Sequence, residues 1–131
     1  MERRAWHRDG SAFEASASYA RAVRAGSLIS VSGTAATGAD GAALSPDTYA
    51  QAVTCFERAV AAVEALGGTR QDVVRTRLYL VREADWRAAV RAHAEAFAGV
   101  DPANTTLYVA GFIPEGVLLE VELDAVITEA E

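Results

Sequence analysis

The hydrophobic pattern of the chain changes period several times, and each change marks an element. The sharpest segment lies near the C-terminus. From Leu119 to Ala125 apolar and acidic positions alternate strictly: Leu119, Val121, Leu123 and Ala125 on one side, Glu120, Glu122 and Asp124 on the other. A strand with period two buries the first set and presents the second. Three carboxylates on one strand face repel each other, so they require water, partners or a chemical role.

The same reading predicts the other elements. Residues 1–12 are irregular or form a short strand. Tyr19–Val23 and Leu28–Ser32 flank Ala25-Gly26-Ser27, a hairpin pattern. Thr34–Ala43, with Gly38, Asp40 and Gly41, predicts a loop. A helix follows with an apolar stripe of Tyr49, Val53, Phe56, Val60 and Val63. Ser45 would cap it, Pro46 would occupy its first position, and Gly67-Gly68 would stop it. Val73–Val81 predicts a strand in which Arg75 and Arg77 alternate with apolar residues. A second helix is expected from about Ala84 to Phe97, with Asp85 near its start and a stripe of Trp86, Val90, His93 and Phe97. Thr105–Phe112 and Leu118–Ile127 complete the strands.

This order of elements predicts an α+β fold. Two amphipathic helices cannot cover both faces of a sheet this size, and placing both on the same face of a mixed sheet is the simplest arrangement. The other face is then solvated or buried in an oligomer. Thr106, Tyr108, Ala110 and Phe112 share one side of the fifth strand, and large apolar groups among polar ones there favour burial in an oligomer.

Composition narrows the function. At 131 residues, 51% of them hydrophobic, residues 1–131 are expected to form one domain with one core. A domain of this size still gains from oligomerisation. A net charge of -6 and a pI near 4.9 argue against a surface that tracks phosphates, so no nucleic-acid partner is expected. The N-terminal stretch lacks the apolar core of a secretory signal, and no apolar run approaches the roughly 20 residues a membrane helix needs. A single cysteine, Cys55, excludes an intrachain disulfide and fits a reducing compartment. A cytoplasmic protein without a membrane partner is expected. All 12 basic residues are arginine, which excludes Schiff-base lysine chemistry. Two histidines, His7 and His93, cannot make a three-histidine metal site, and no Cys/His pair has zinc spacing. Neither a metal nor a cofactor is expected.

Several residues stand out, each with a bland reading beside the chemical one. Glu120 fits a group that orients water or acts as general acid/base, and equally a solvated strand face. Glu122 and Asp124 fit solvated or paired surface charge better. His93, on an apolar stripe, fits a core or interface position better than a ligand. Cys55 has no base near it in sequence and reads as a small packing residue. Ser32-Gly33 ends a strand, where the glycine is either a turn or a place for close approach to the backbone. Arg91, one turn after Arg87, sits off the helical stripe and reads as part of a solvated basic face. No nucleophile-elbow pattern is present, and the Gly-rich segments match neither phosphate-binding fingerprint.

Taken together, these residues resemble the Rid/YjgF family, named for reactive-intermediate deaminases and formerly called endoribonuclease L-PSP. The resemblance runs from about Tyr19 to Val126. It rests on the order and spacing of Ala25-Gly26-Ser27-Leu28-Ile29-Ser30-Val31-Ser32-Gly33, Gln51, Gly68 with Asp72-Val73-Val74-Arg75-Thr76, Asp85-Trp86, Phe97, Pro102-Ala103 and Leu119-Glu120-Val121-Glu122.

The resemblance implies a six-stranded mixed sheet with two helices packed on one face, the chorismate-mutase-like arrangement. It also implies assembly as a homotrimer whose sheets form a central barrel, with small-molecule clefts between subunits. It implies cofactor-free hydrolysis of imines or enamines. By position, the family's water-positioning glutamate falls on Glu120. The tyrosine before the first hairpin falls on Tyr19, and the serine-glycine lining the cleft falls on Ser32 and Gly33. The carboxylate-binding arginine falls on Asn104, which has no charge and cannot offer the bidentate fork. A position that is often cysteine is Thr106, and an asparagine of active members is Arg91. The expectation is a divergent subgroup: an imine/enamine hydrolase whose substrate differs from the usual 2-aminoacrylate type, or a non-catalytic binder or sensor using the same cleft. The acidic charge and the lack of a positioned histidine pair count against a ribonuclease.

Overall fold

The computed structural model describes residues 4–128. The first three and last three positions of the expected 1–131 domain lie outside the described residues. Six strands run in the order β1 (Ala5–His7), β2 (Ala22–Ala25), β3 (Leu28–Thr34), β4 (Val73–Leu80), β5 (Ala103–Tyr108) and β6 (Leu119–Val126). Three α-helices accompany them: α1 (Ala12–Ala17), α2 (Thr48–Ala65) and α3 (Trp86–Ala96).

The strands form one mixed sheet in the spatial order β1-β2-β3-β6-β4-β5. Only β4 and β5 pair in parallel, with α3 as the crossover between them. The other neighbours are antiparallel. The C-terminal strand therefore sits in the middle of the sheet, between β3 and β4.

The period-two alternation in β6 holds along its length. Leu119, Val121, Leu123 and Ala125 are fully buried and face α2, and the acidic positions between them stay half-exposed on the open face. Opposite them the helix places small residues: Ala52, Cys55, Ala59 and Ala62 are buried beside Phe56 and Val63. This corrects the expected stripe in part. Tyr49, Val53 and Val60 only flank the core, because the alanine face lets the helix axis approach the sheet and the larger side chains turn aside.

On α3 the correction is larger. Trp86 and Val90 are 44% and 43% exposed, whereas Ala88, Ala89 and Ala92 are buried. Phe97 closes the core just past the helix end, packing edge-on against Phe56. Alanine carries too little hydrophobicity to dominate a sequence pattern, yet close helix packing selects it.

Four boundaries also move. The residue capping α2 is Asp47, whose carboxylate accepts the Ala50 N–H at 2.9 Å. The Ser45 hydroxyl accepts the Asp47 N–H instead, and Pro46 falls outside the helix. Asp85 caps α3, which begins at Trp86 rather than at Ala84. Tyr19 lies before β2, which starts only at Ala22. The fifth strand covers Ala103–Tyr108; Thr106 and Tyr108 share a side, but the register sets it beside the buried Leu78 and Leu80 on the helix face and not on the open face, and Ala110 and Phe112 lie beyond the strand.

The helix α1 was not expected. The Glu14 carboxylate reaches back to the N–H groups of Ser11 at 3.0 Å and Gly10 at 2.8 Å, satisfying donors at the helix start. None of the described helices is long and apolar enough to cross a membrane.

Candidate functional site

The open face of the sheet carries the polar side chains of its central strands. Register pairs Arg75 with Asp124, Arg77 with Glu122, and Tyr79 with Glu120 across β4 and β6. The contacts run diagonally. Arg77 forms an ion pair with Asp124 at 3.1 Å, and the Ser30 hydroxyl donates to the same carboxylate at 2.9 Å. The Tyr79 hydroxyl donates to Glu122. Two of the three carboxylates are thereby engaged. Among the described residues no hydrogen bond reaches the Glu120 carboxylate.

Glu120 is half-buried. Burial pushes its carboxyl above the ordinary value, and the charge of Glu122 adds to that; the Arg21 guanidinium opposes both. A carboxylate held this way is readier than an exposed one to accept a proton.

Gly33 makes the space for it. On β3 the register passes from Val31 opposite Leu123 to Thr34 opposite Val121, so Ser32 and Gly33 together oppose Glu122 in a β-bulge. A Cβ built on Gly33 would lie 2.6 Å from Oε1 of Glu120. The bulge is held by Ser32, whose N–H donates to the Arg21 carbonyl at 2.9 Å and whose hydroxyl donates to the Ala20 carbonyl at 2.7 Å.

Tyr19 lines a cleft of about 580 Å³ on this face, with Trp6, Ser30, Ser32, Arg77 and Glu122 among its walls. Glu120 lies one alternate position further along β6, beside the bulge and outside that lining. Tyr19, Ser32, Gly33 and Glu120 thus gather in one region of a single chain.

Asn104 and Thr106 do not join them. Register sets Asn104 beside Thr76 and Thr106 beside Leu78, both buried on the helix side, so the two residues sit at the β5 edge facing the other way. The Asn104 amide donates to the Thr76 hydroxyl at 3.0 Å and accepts from the Thr106 hydroxyl at 2.9 Å. Thr76 in turn is 2.8 Å from Nε2 of His93. His93 also packs against Phe56 and Phe97, and burial lowers its pKa, which fits the core position expected of it. Arg91 is on the outer surface of α3, its guanidinium 4.3 Å from the Tyr49 ring centroid. A single chain therefore splits the predicted residues between two faces.

Cys55 is buried, and burial together with the Glu120 charge pushes its thiol up to about 12. It stays protonated and packs as a small apolar group, not as a nucleophile.

Arg21 was missed in the sequence. It is only 8% exposed. Its Nε donates to Asp9 at 2.9 Å and its Nη1 to the Gly33 carbonyl at 2.7 Å. No periodicity marks an arginine that pairs with a residue twelve positions away.

A family model described as Endoribonuclease L-PSP matches residues 9–127. The chain belongs to that family. An uncharacterized protein of Streptomyces coelicolor, SCO2049, is 41% identical over 116 residues, spanning 88% of this chain and 87% of its own. Among solved structures, Rv2704 of Mycobacterium tuberculosis, described as a member of the YjgF/YER057c/UK114 family, is 36% identical. It superposes with a TM-score of 0.85 over 95% of this chain and 99% of that one. RidA of an Antarctic Psychrobacter species is 28% identical, with a TM-score of 0.74 over 83% of this chain and 88% of its own. The two solved structures share this fold, and the resemblance read from Tyr19 to Val126 holds.

Proposed function

We propose that the protein hydrolyses the C=N bond of a small imine, or of an enamine once protonation at carbon has converted it to the imine, using Glu120 to hold and deprotonate the attacking water. The observation that carries this reading is the state of Glu120. It is the one carboxylate of the β6 row without a side-chain partner, its pKa is raised, and a glycine leaves room at its oxygen. Water attack on an imine carbon gives a carbinolamine; expulsion of ammonia then leaves a carbonyl. Each stage needs one proton accepted and one returned, which a single carboxyl of raised pKa can do without a cofactor.

The site would be completed by a second copy of the chain. Asn104 and Thr106 face away from Glu120 in one chain, and a homotrimer with clefts between subunits brings the β5 edge of one copy to the open face of another. At Asn104 the anchor is neutral, so a substrate with an amide, hydroxyl or carbonyl at that end fits better than a free carboxylate. The same neutral anchor favours a second reading, a non-catalytic metabolite binder. Ammonia release from a panel of imines, measured for the wild type and Glu120→Gln, separates the two. Turnover lost in Glu120→Gln supports hydrolysis; a ligand held without turnover in either protein supports the binder.

A further inference from the structure

We propose that Arg21 is a positioning residue for Glu120: its guanidinium fixes the Gly33 bulge against which the carboxylate rests and supplies the positive charge that carboxylate feels, with Asp9 as its counterweight. This rests on the reading of Glu120 as the group that handles the proton.

The geometry converges on Gly33 from two sides. The Glu120 carboxylate lies where a side chain at Gly33 would be. The Gly33 carbonyl accepts Nη1 of Arg21 at 2.7 Å. A shift of the guanidinium therefore moves the backbone that bounds the carboxylate. The guanidinium is itself held. Asp9 binds its Nε, and Thr34 Oγ1 lies 3.4 Å from Nη1. The Arg21 N–H donates to Glu14 at 2.9 Å, and Glu14 is buried at the first turn of α1. The segment from Asp9 to Glu14, which leads into the short helix α1, thereby becomes a clamp on Arg21.

The charges facing Glu120 give the arrangement its sign. From β6 comes Glu122, already engaged by Tyr79. Behind the sheet, on α2, lies the neutral Cys55 thiol, with Arg58 on the same helix committed to the carbonyls of Ala35 at 3.1 Å and Thr37 at 2.8 Å. From β4 comes Tyr79, the cross-strand partner. Arg21, just ahead of β2, is the cation acting on Glu120. Asp9 neutralises part of that cation. Removing Arg21 and removing the Asp9 charge must then move Glu120 in opposite directions. A scaffold role alone would not produce that opposition.

The test follows the Glu120 carboxyl carbon by NMR in the full-length protein labelled with 13C-glutamate, the resonance being assigned by its loss in Glu120→Gln. Arg21→Gln should raise the titration midpoint and Asp9→Asn should lower it, with Arg21→Lys between Arg21→Gln and the wild type. Where a substrate is turned over, the acidic limb of kcat should move with the NMR midpoint. If Arg21→Gln fails to fold, the Asp9→Asn and Arg21→Lys midpoints decide alone: they should move to opposite sides of the wild type. Midpoints that stay put, or move the same way in every variant, overturn the proposal. Full turnover in Glu120→Gln would instead sink the hydrolase reading while leaving these midpoints intact.

Discussion

Gly33 and Glu120 are in contact across the β3–β6 bulge, so closely that a methyl group on the glycine would stand 2.6 Å from Oε1. Gly33 is not among the glycines with positive φ, so its backbone suits any residue. The obstacle is the far end of a flexible side chain, which can swing aside. Gly33→Ala should therefore fold with a melting temperature close to the wild type, within about 1 kcal/mol of its stability. The displaced carboxylate should lose the water position, and kcat should fall by about tenfold or more. A variant that is as active as the wild type would show that Glu120 works from some other rotamer.

Glu120→Gln and Glu122→Gln make a matched pair on one strand face. The first should lower turnover by about 10²-fold, the usual scale for general acid/base catalysis. The second removes a carboxylate already bonded to Tyr79 and should leave most of the rate. Equal losses would mean that net charge on this face matters, not the individual group.

Stability against pH gives an independent check of the same residue. The folded pKa of Glu120 lies above its unfolded value, so the folded state holds its proton longer. Stability from this group is full below the ordinary value of 4.5, and is lost as pH rises through the folded value. Glu120→Gln cannot ionise and escapes that loss. Its melting temperature relative to the wild type should rise across this window and then level off. A relative melting temperature that falls with pH would show that the carboxylate is stabilised when charged.

Much of this architecture is legible from pattern alone, and the failures have a common cause. β6 declares itself because large apolar residues alternate with carboxylates. The α2 and α3 stripes mislead because Ala52, Ala59, Ala88 and Ala92 form the buried faces, while Trp86 and Val90 stay out. The α2 cap shifts by two residues because Ser45 and Asp47 are both competent, and only the Asp47 carboxylate reaches the Ala50 N–H. At the site, Glu120 and Gly33 are readable from strand position. Arg21 and Asp9 are not, since their bond joins residues that no local pattern relates.

Light scattering coupled to size exclusion should return the mass of a homotrimer. The open sheet face holds the Arg77–Asp124 ion pair and half-buried polar groups, and Trp6, Leu28 and Leu107 are exposed on the strands. A monomer mass would leave Asn104 and Glu120 on opposite faces of one sheet, unable to share a substrate.

Asn104 gives the sharpest test of what the site accepts. Its amide is aligned by Thr76 and Thr106, so it offers a fixed but neutral group at the β5 edge. Asn104→Arg would replace this with a planar cation able to bind a carboxylate through two hydrogen bonds. Charged hydrogen bonds contribute roughly 1.5–3 kcal/mol each, against about 1 kcal/mol for a neutral one. Since about 1.4 kcal/mol is a factor of ten, kcat/KM for an imine bearing a carboxylate should rise tenfold or more. The same change should not help an imine bearing a neutral amide. The cost falls on the Asn104–Thr76 hydrogen bond, about 0.5–1.5 kcal/mol of stability, because Thr76 keeps His93 as a partner. Glu120→Gln combined with Asn104→Arg should bind the carboxylate substrate without turning it over, which separates recognition from chemistry. If Asn104→Arg leaves both substrates unchanged, the β5 edge does not reach the substrate, and the anchor must lie with the cleft residues around Tyr19 and Arg77.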